Sequence, residues 1–225
     1  MVVDQLLFGY RDGHELIAGS RPLSAVQQRE LLPHIDASFE ADDERQLVGA
    51  AIASLDGYLL ARIWPAPERP RRGAVWAHAL LLSAEQLRFR RLAGLLALLR
   101  RPVDEHLDGY GEQLPWPRDV EVSAASPPPL ADALARAAYA GDRRPRIVVW
   151  HAARDAEPAL VALLDAFPGA ARSTFSFRTR ERARLGAATA YRLQVASVVS
   201  GQGAGASDVV IDARLPPAAS SLLAS

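Results

Sequence analysis

Residues 75–82, VWAHALLL, are apolar at every position but one, and a Ser83/Gln86 pair follows directly. The polar turn RPRRG at 69–73 opens this run. A short apolar stretch bounded in this way reads as a β-strand buried on both faces. Such a strand must have an apolar layer above it and another below, which excludes a two-sided solvated ribbon. Ser83 with Gln86 makes a capping-box signature, and Ala84–Leu99 then carries helical apolar spacing up to Pro102.

A second strong local signal opens the chain. In DQLLFGYRDGHELIAGS, residues 4–20, Asp12-Gly13 suits a tight turn with positive φ between strands at Val2–Tyr10 and Leu16–Ser20. Leu6, Phe8 and Tyr10 share one face of the first strand, and Gln5 and Leu7 share the other. Ser24 is placed to cap a helix through about Leu32, and Tyr58–Trp64 follows the turn-like Asp56-Gly57 as a further strand. Residues 103–129, with Pro115, Pro117 and the triplet Pro127–Pro129, read as irregular connecting chain. Beyond it the order is helix (Ala131–Tyr139), strand (Arg146–Trp150), helix (Glu157–Phe167), then strands near Phe175–Arg178 and Tyr191–Val199. GQGAG at 201–205 and the tail are loop-like. The expected fold is α+β: a β-rich N-terminal domain over 1–122 that starts with the hairpin, a Pro-rich connector at 123–129, and a small α/β layer over 130–225.

Composition removes several chemistries. All 26 basic residues are arginine, balanced by 26 acidic ones, and cysteine is absent. Without lysine there is no Schiff base, no pyridoxal phosphate anchor and no P-loop lysine; without cysteine there is no thiolate nucleophile and no cysteine-ligated metal. No secretory leader or apolar span of membrane length is evident, so a cytoplasmic location is expected. Neither a GxSxG elbow nor an SxxK pair supplies a nucleophile. The histidines His14, His34, His78, His106 and His151 show no metal-binding spacing, so neither metal nor cofactor is expected. His78, inside the apolar strand, reads as a hydrogen-bonded core residue. A hydrolase-type arrangement of Asp4, His14 and His78 is the enzymatic alternative. Residues 172–184, RSTFSFRTRERAR, offer Arg178, Arg180 and Arg182 as partner contacts, or a nucleic-acid surface with Phe175 and Phe177 as stacking groups. Phe175 and Phe177 share one strand face, which favours a core role, and the neutral overall charge argues against a nucleic-acid binder.

Three blocks, DQLLFGYRDGHELIAGS, GAVWAHALLLSAEQL and FPGAARSTFSFRTR, occur here in the order seen in the bacterial GTPase-associated protein family, and the chain resembles that family's N-terminal region, continuing toward its middle. The matching positions are Asp4, Gln5, Gly9, Tyr10, Gly13, His14 and Ser20, then Trp76 and His78, then Phe175, Phe177 and Thr179. The resemblance implies an adaptor or regulator of a partner GTPase in a conflict or defence system, encoded with effector-associated modules. It implies no catalytic residue in this chain. Members of the family are longer, so the chain is expected to be a fragment or a minimal version. Arg11, Asp12 and His14 at the hairpin, with Arg178, Arg180 and Arg182, are the expected partner contacts. An arginine among them is a candidate finger for the partner's γ-phosphate.

Overall fold

The computed structural model describes residues 1–37, 39, 44–69, 71–103, 107–117, 134, 146–149, 156–184, 191–200 and 209–212. The fold is α+β, built on a mixed sheet. Its strands are β1 (Val2–Tyr10), β2 (His14–Gly19), β3 (Gln46–Ile52), β4 (Gly57–Pro65), β5 (Val75–Ser83), β6 (Leu114–Pro115), β7 (Arg146–Val149), β8 (Phe177–Arg184), β9 (Leu193–Ser200) and β10 (Val209–Asp212). They are ordered β10-β7-β9-β8-β3-β4-β5-β1-β2, with β6 pairing with β1. Strands β3, β4, β5, β1 and β2 pair antiparallel, and β10, β7, β9 and β8 pair parallel. The two patterns meet where β3 and β8 run antiparallel through Val48↔Arg178 and Gly49↔Phe177. The expected connector at 123–129, the helix at 131–139 apart from Leu134, the GQGAG stretch and the tail lie outside the described residues, as do His106 and His151.

Strand β5 lies between β4 and β1 and is buried along its whole length except Ser83. Register assigns its two faces. Ala77, Ala79 and Leu81 point with Leu6, Phe8, Leu59 and Ile63 toward helix α1 (Ala25–Ile35), whose Leu31 and Ile35 are fully buried against them. Leu80 and Leu82 point the other way with Leu60 and Tyr58, under Leu87, Leu95, Leu160 and Leu164. Each buried leucine of this kind contributes roughly 1.5–3 kcal/mol of transfer free energy. The two layers demanded by an all-apolar strand are therefore both present.

Several local expectations are corrected. The hairpin closes through three residues, because Tyr10 pairs with His14 and Arg11 N donates to Gly13 O at 3.2 Å. Gly13 is not in the left-handed region, which among the described residues is occupied by Asp56, Gly73 and Gly109. A register shift between Leu7 and Phe8 leaves Ile17 unpaired, a bulge of the kind that increases local twist. Helix α1 runs past Leu32 to Ile35, with Pro33 in its last turn.

The expected helix over 84–99 is instead α2 (Ala84–Phe89) followed by an extended Arg90 and a 3₁₀ turn at Ala93–Ala97. The break is stable because its freed backbone groups find partners. The Asp165 carboxylate accepts from Leu92 N at 2.8 Å and Ala93 N at 3.1 Å, and Arg172 donates to Leu87 O at 3.0 Å and Arg90 O at 2.8 Å. Asp165 sits in α3 (Glu157–Ala166), and Arg172 ends the short α4 (Gly169–Arg172). Strand β3 has no counterpart in the sequence reading. Its Gly49, Ala50 and Ala51 have weak strand preference, yet Gly49 is required: a Cβ there would run into the Phe177 ring and the Tyr58 hydroxyl.

Candidate functional site

At one end of β1, three pieces of chain converge. The hairpin loop carries Arg11 and Asp12, both exposed; the β4–β5 turn carries exposed Arg71 and Arg72; and Asp36 closes α1. The Arg71 guanidinium lies 5.1 Å from the Tyr10 ring centre, which ties the turn to the hairpin. His14 Nδ1 is 4.0 Å from an Asp36 oxygen, and Arg11 Nε is 4.0 Å from a Glu15 oxygen. His14 Nε2 is buried without a hydrogen bond. Burial lowers the His14 pKa below its usual value, Asp36 opposes that shift, and Arg71 adds to it. The result is a compact surface of mixed charge with Arg11 extended toward solvent: its side chain is 64% exposed.

Behind this surface, the polar residues of the opening block are engaged internally. His78 is fully buried. Its Nδ1 accepts from Arg100 N at 3.1 Å, so Nε2 carries the proton and donates to Gln5 Oε1 at 2.9 Å. The Gln5 amide nitrogen in turn donates to Gly109 O and Glu112 O, each at 2.6 Å. Burial, reinforced by the nearby Arg100, pushes His78 down to about 4, so the ring is neutral at pH 7. Asp4 lies on the opposite face of the sheet, accepting from Ser20 Oγ at 2.9 Å and from Gln113 Nε2 at 2.9 Å. His14 is at the far end of the same strand pair. Asp4, His14 and His78 are therefore not brought together, and the hydrolase-type arrangement expected of them does not form. Among the described residues, no group of three histidine or acidic side chains could hold a metal ion.

The glycines and aromatics of the blocks lock the sheet. A Cβ at Gly9 would enter the Trp76 ring, so the tryptophan occupies the space left by the bare backbone of β1. Trp76 Nε1 donates to Glu68 at 2.7 Å, and Arg69 covers the ring at 4.5 Å. Gly13 faces open space and Tyr10 is half-buried.

Arg178 of the arginine-rich stretch is similarly engaged. Arg178 is 6% exposed; its Nε donates to Gln46 Oε1 at 2.8 Å, another nitrogen donates to Asp36 O, and the guanidinium lies 5.6 Å from the Tyr191 ring. It is thus not presented to a partner. Arg180 is half-buried; Arg182 lies on β8 opposite Val198, with its side chain outside the described part. Phe175 and Phe177 are buried in the core, Phe175 packing edge-on against Phe167 with ring centres 4.9 Å apart, so they offer no stacking platform to nucleic acid. Thr179 Oγ1 accepts from Leu47 N at 2.8 Å, replacing a backbone carbonyl where the β3–β8 ladder ends.

One buried ion cluster had no sequence signal. Glu157, 1% exposed, accepts from Arg62 at 2.6 Å and from Arg45 at 3.1 Å, while Arg62 also donates to Leu96 O and Leu99 O at 3.3 and 3.1 Å. Only the pairing of β4 with α3 across 95 residues of sequence creates it.

Residues 2–99 match the family model described as GTPase-associated protein 1, N-terminal domain type 1. No curated protein and no solved structure matched. The matched span contains the hairpin surface, Gln5 with His78, and Gly9 with Trp76. Phe175, Phe177 and Thr179 lie beyond the matched span and meet it across the β3–β8 pairing. None of the described helices is long and apolar enough to cross a membrane.

Proposed function

We propose that this chain is an adaptor or regulator of a partner GTPase in a bacterial conflict system, working in the cytoplasm beside effector-associated modules. Residues 1–122 are the docking domain, and the described strands and helices from residue 146 onward brace it. The observation that carries this reading is the match of residues 2–99 to a GTPase-associated domain. The placement of side chains supports it. Gln5, Ser20 and His78 are engaged in internal hydrogen bonds and Asp4 accepts two through one oxygen, whereas Arg11 and Asp12 face solvent beside Arg71. The hairpin end is the docking surface, and no chemistry of this chain's own is required.

The test pairs the purified chain with the GTPase encoded beside it, loaded with GDP or with a non-hydrolysable GTP analogue. Binding that depends on the nucleotide, and that Arg11→Glu with Asp12→Arg abolishes while the melting temperature holds, is the expected result. Failure to bind in either nucleotide state removes the adaptor reading. The same mixture reports GTP hydrolysis. Stimulation lost in Arg11→Ala makes Arg11 a finger, a role worth on the order of 10³–10⁵ in rate. Unchanged hydrolysis with intact binding confines Arg11 to docking.

A further inference from the structure

The opposite end of β1 carries a second exposed surface that the hairpin reading does not use. Gln86 Nε2 donates to Val2 O at 2.7 Å, which ties α2 to the first residue of β1. A nine-residue strand is roughly 30 Å long, so α2 and the hairpin loop lie about that far apart. At the end of α2, Arg88, Phe89, Arg90 and Arg91 are four consecutive exposed residues. Phe89 is 70% exposed.

Exposed side chains on loose backbone mean little, but this backbone is fixed from below. Arg172 holds the carbonyls of Leu87 and Arg90, Asp165 holds the amides of Leu92 and Ala93, and Arg90 N donates to Gln86 O at 3.0 Å. Gly169 packs so closely that a Cβ there would lie 2.6 Å from Arg88 Cγ and 3.0 Å from Arg88 Cα. Three arginines and a phenylalanine are thus presented on an ordered segment, and among the described residues none of the three is in an ion pair. With the backbone already ordered, binding has only side-chain freedom left to restrict, which lowers its entropic cost.

We propose that Arg88, Phe89, Arg90 and Arg91 form a second docking surface, for an acidic protein segment that carries an apolar side chain among its carboxylates. Charge complementarity points to the carboxylates, which guanidinium groups bind with two parallel hydrogen bonds. The aromatic ring supplies the apolar half of the contact. Two observations favour a protein segment over nucleic acid. The Arg88 guanidinium sits 5.3 Å from the Phe89 ring centre and takes one face a base would stack on. The chain's formal net charge is zero, so no long-range field draws in a polyanion. With docking surfaces at both ends of one strand, the chain can hold two partners at once.

The experiment uses the full chain and fluorescence anisotropy with three labelled probes: a short Asp/Glu peptide around one leucine, the same peptide without the leucine, and a single-stranded oligonucleotide. Salt-sensitive binding of the leucine-bearing peptide is expected. Arg90→Glu with Arg91→Glu weakens it about tenfold. Phe89→Ala weakens the leucine-bearing peptide about fivefold and leaves the all-acidic one unchanged. Arg11→Glu affects neither, which separates this surface from the hairpin. Absence of peptide binding at low salt, equal binding by the charge-reversed chain, or oligonucleotide binding tighter than peptide binding overturns the proposal. Unchanged melting temperatures certify that the exposed substitutions leave the fold intact.

Discussion

Replacing Glu157 by glutamine tests how the ion cluster beneath β4 holds the two parts of the sheet. The substitution keeps the shape and removes the charge. Glu157 and Arg62 are 1% and 11% exposed and approach to 2.6 Å, so their pairing is a buried one. Breaking such a pair by removing one partner costs about 3–5 kcal/mol, because the remaining ion stays buried without its counter-charge. Two features place the cost at the lower end. Arg62 keeps its bonds to Leu96 O and Leu99 O, and Arg45, at 39% exposure, can turn to water and loses under about 1 kcal/mol. The expected loss is about 3 kcal/mol, or a fall of roughly 6–12 °C in melting temperature for a chain of this length. Urea unfolding measures it directly. The companion double variant, Arg62→Met with Glu157→Leu, removes both charges and should recover most of the loss. A loss below about 1 kcal/mol in Glu157→Gln, or a double variant less stable than the single, would refute the argument that an uncompensated Arg62 sets the cost.

Two further predictions concern residues 2–99. Because burial holds His78 neutral, down to about 4 against 6.5 when unfolded, its contribution is complete above pH 6.5 and lost as pH falls toward 4. That loss is about 3 kcal/mol, with His14 and His34 shifted in the same direction; a urea midpoint flat from neutral pH to its acid limit, or an acid slope unchanged in His78→Gln, contradicts it. Gly9→Ala forces a methyl into the Trp76 ring and should cost about 1–3 kcal/mol, with a change in tryptophan emission; a variant as stable as the parent would mean that the ring is free to move aside.

Features written in a single stretch of chain were legible. The apolar run at 75–82 became the central strand with a layer on each face, the Ser83/Gln86 capping box formed as its spacing requires, and Ser24 caps α1. Helix and strand alternating after residue 146 became parallel pairing around β7, β8 and β9. What stayed hidden depends on distant partners. Strand β3 was missed because Gly49 and its alanines look like poor strand residues, and their reason for being small is Phe177, which lies far along the chain. The break after Phe89 was invisible for the same cause: helical spacing continues through it, and only Asp165 and Arg172 make an interruption stable. In the candidate site, the hairpin residues were legible and their neighbours were not. Arg71 and Asp36 come from a turn and a helix end that show no periodicity, and Arg178 looked available until burial placed it against Gln46.

The contacts that cross from β3, β4 and α2 to the later part of the chain have a consequence for how such a protein can change over evolutionary time. A greasy seam accepts many partners of similar size. This one adds directional bonds to its apolar contacts: Glu157 to Arg62, Asp165 to the amides at 92 and 93, Arg172 to two carbonyls, and Arg178 to Gln46. A foreign C-terminal part lacking any of these would strand its counterpart in the interior. The two parts are therefore matched like key and ward, and recombination that exchanges one must carry the other with it.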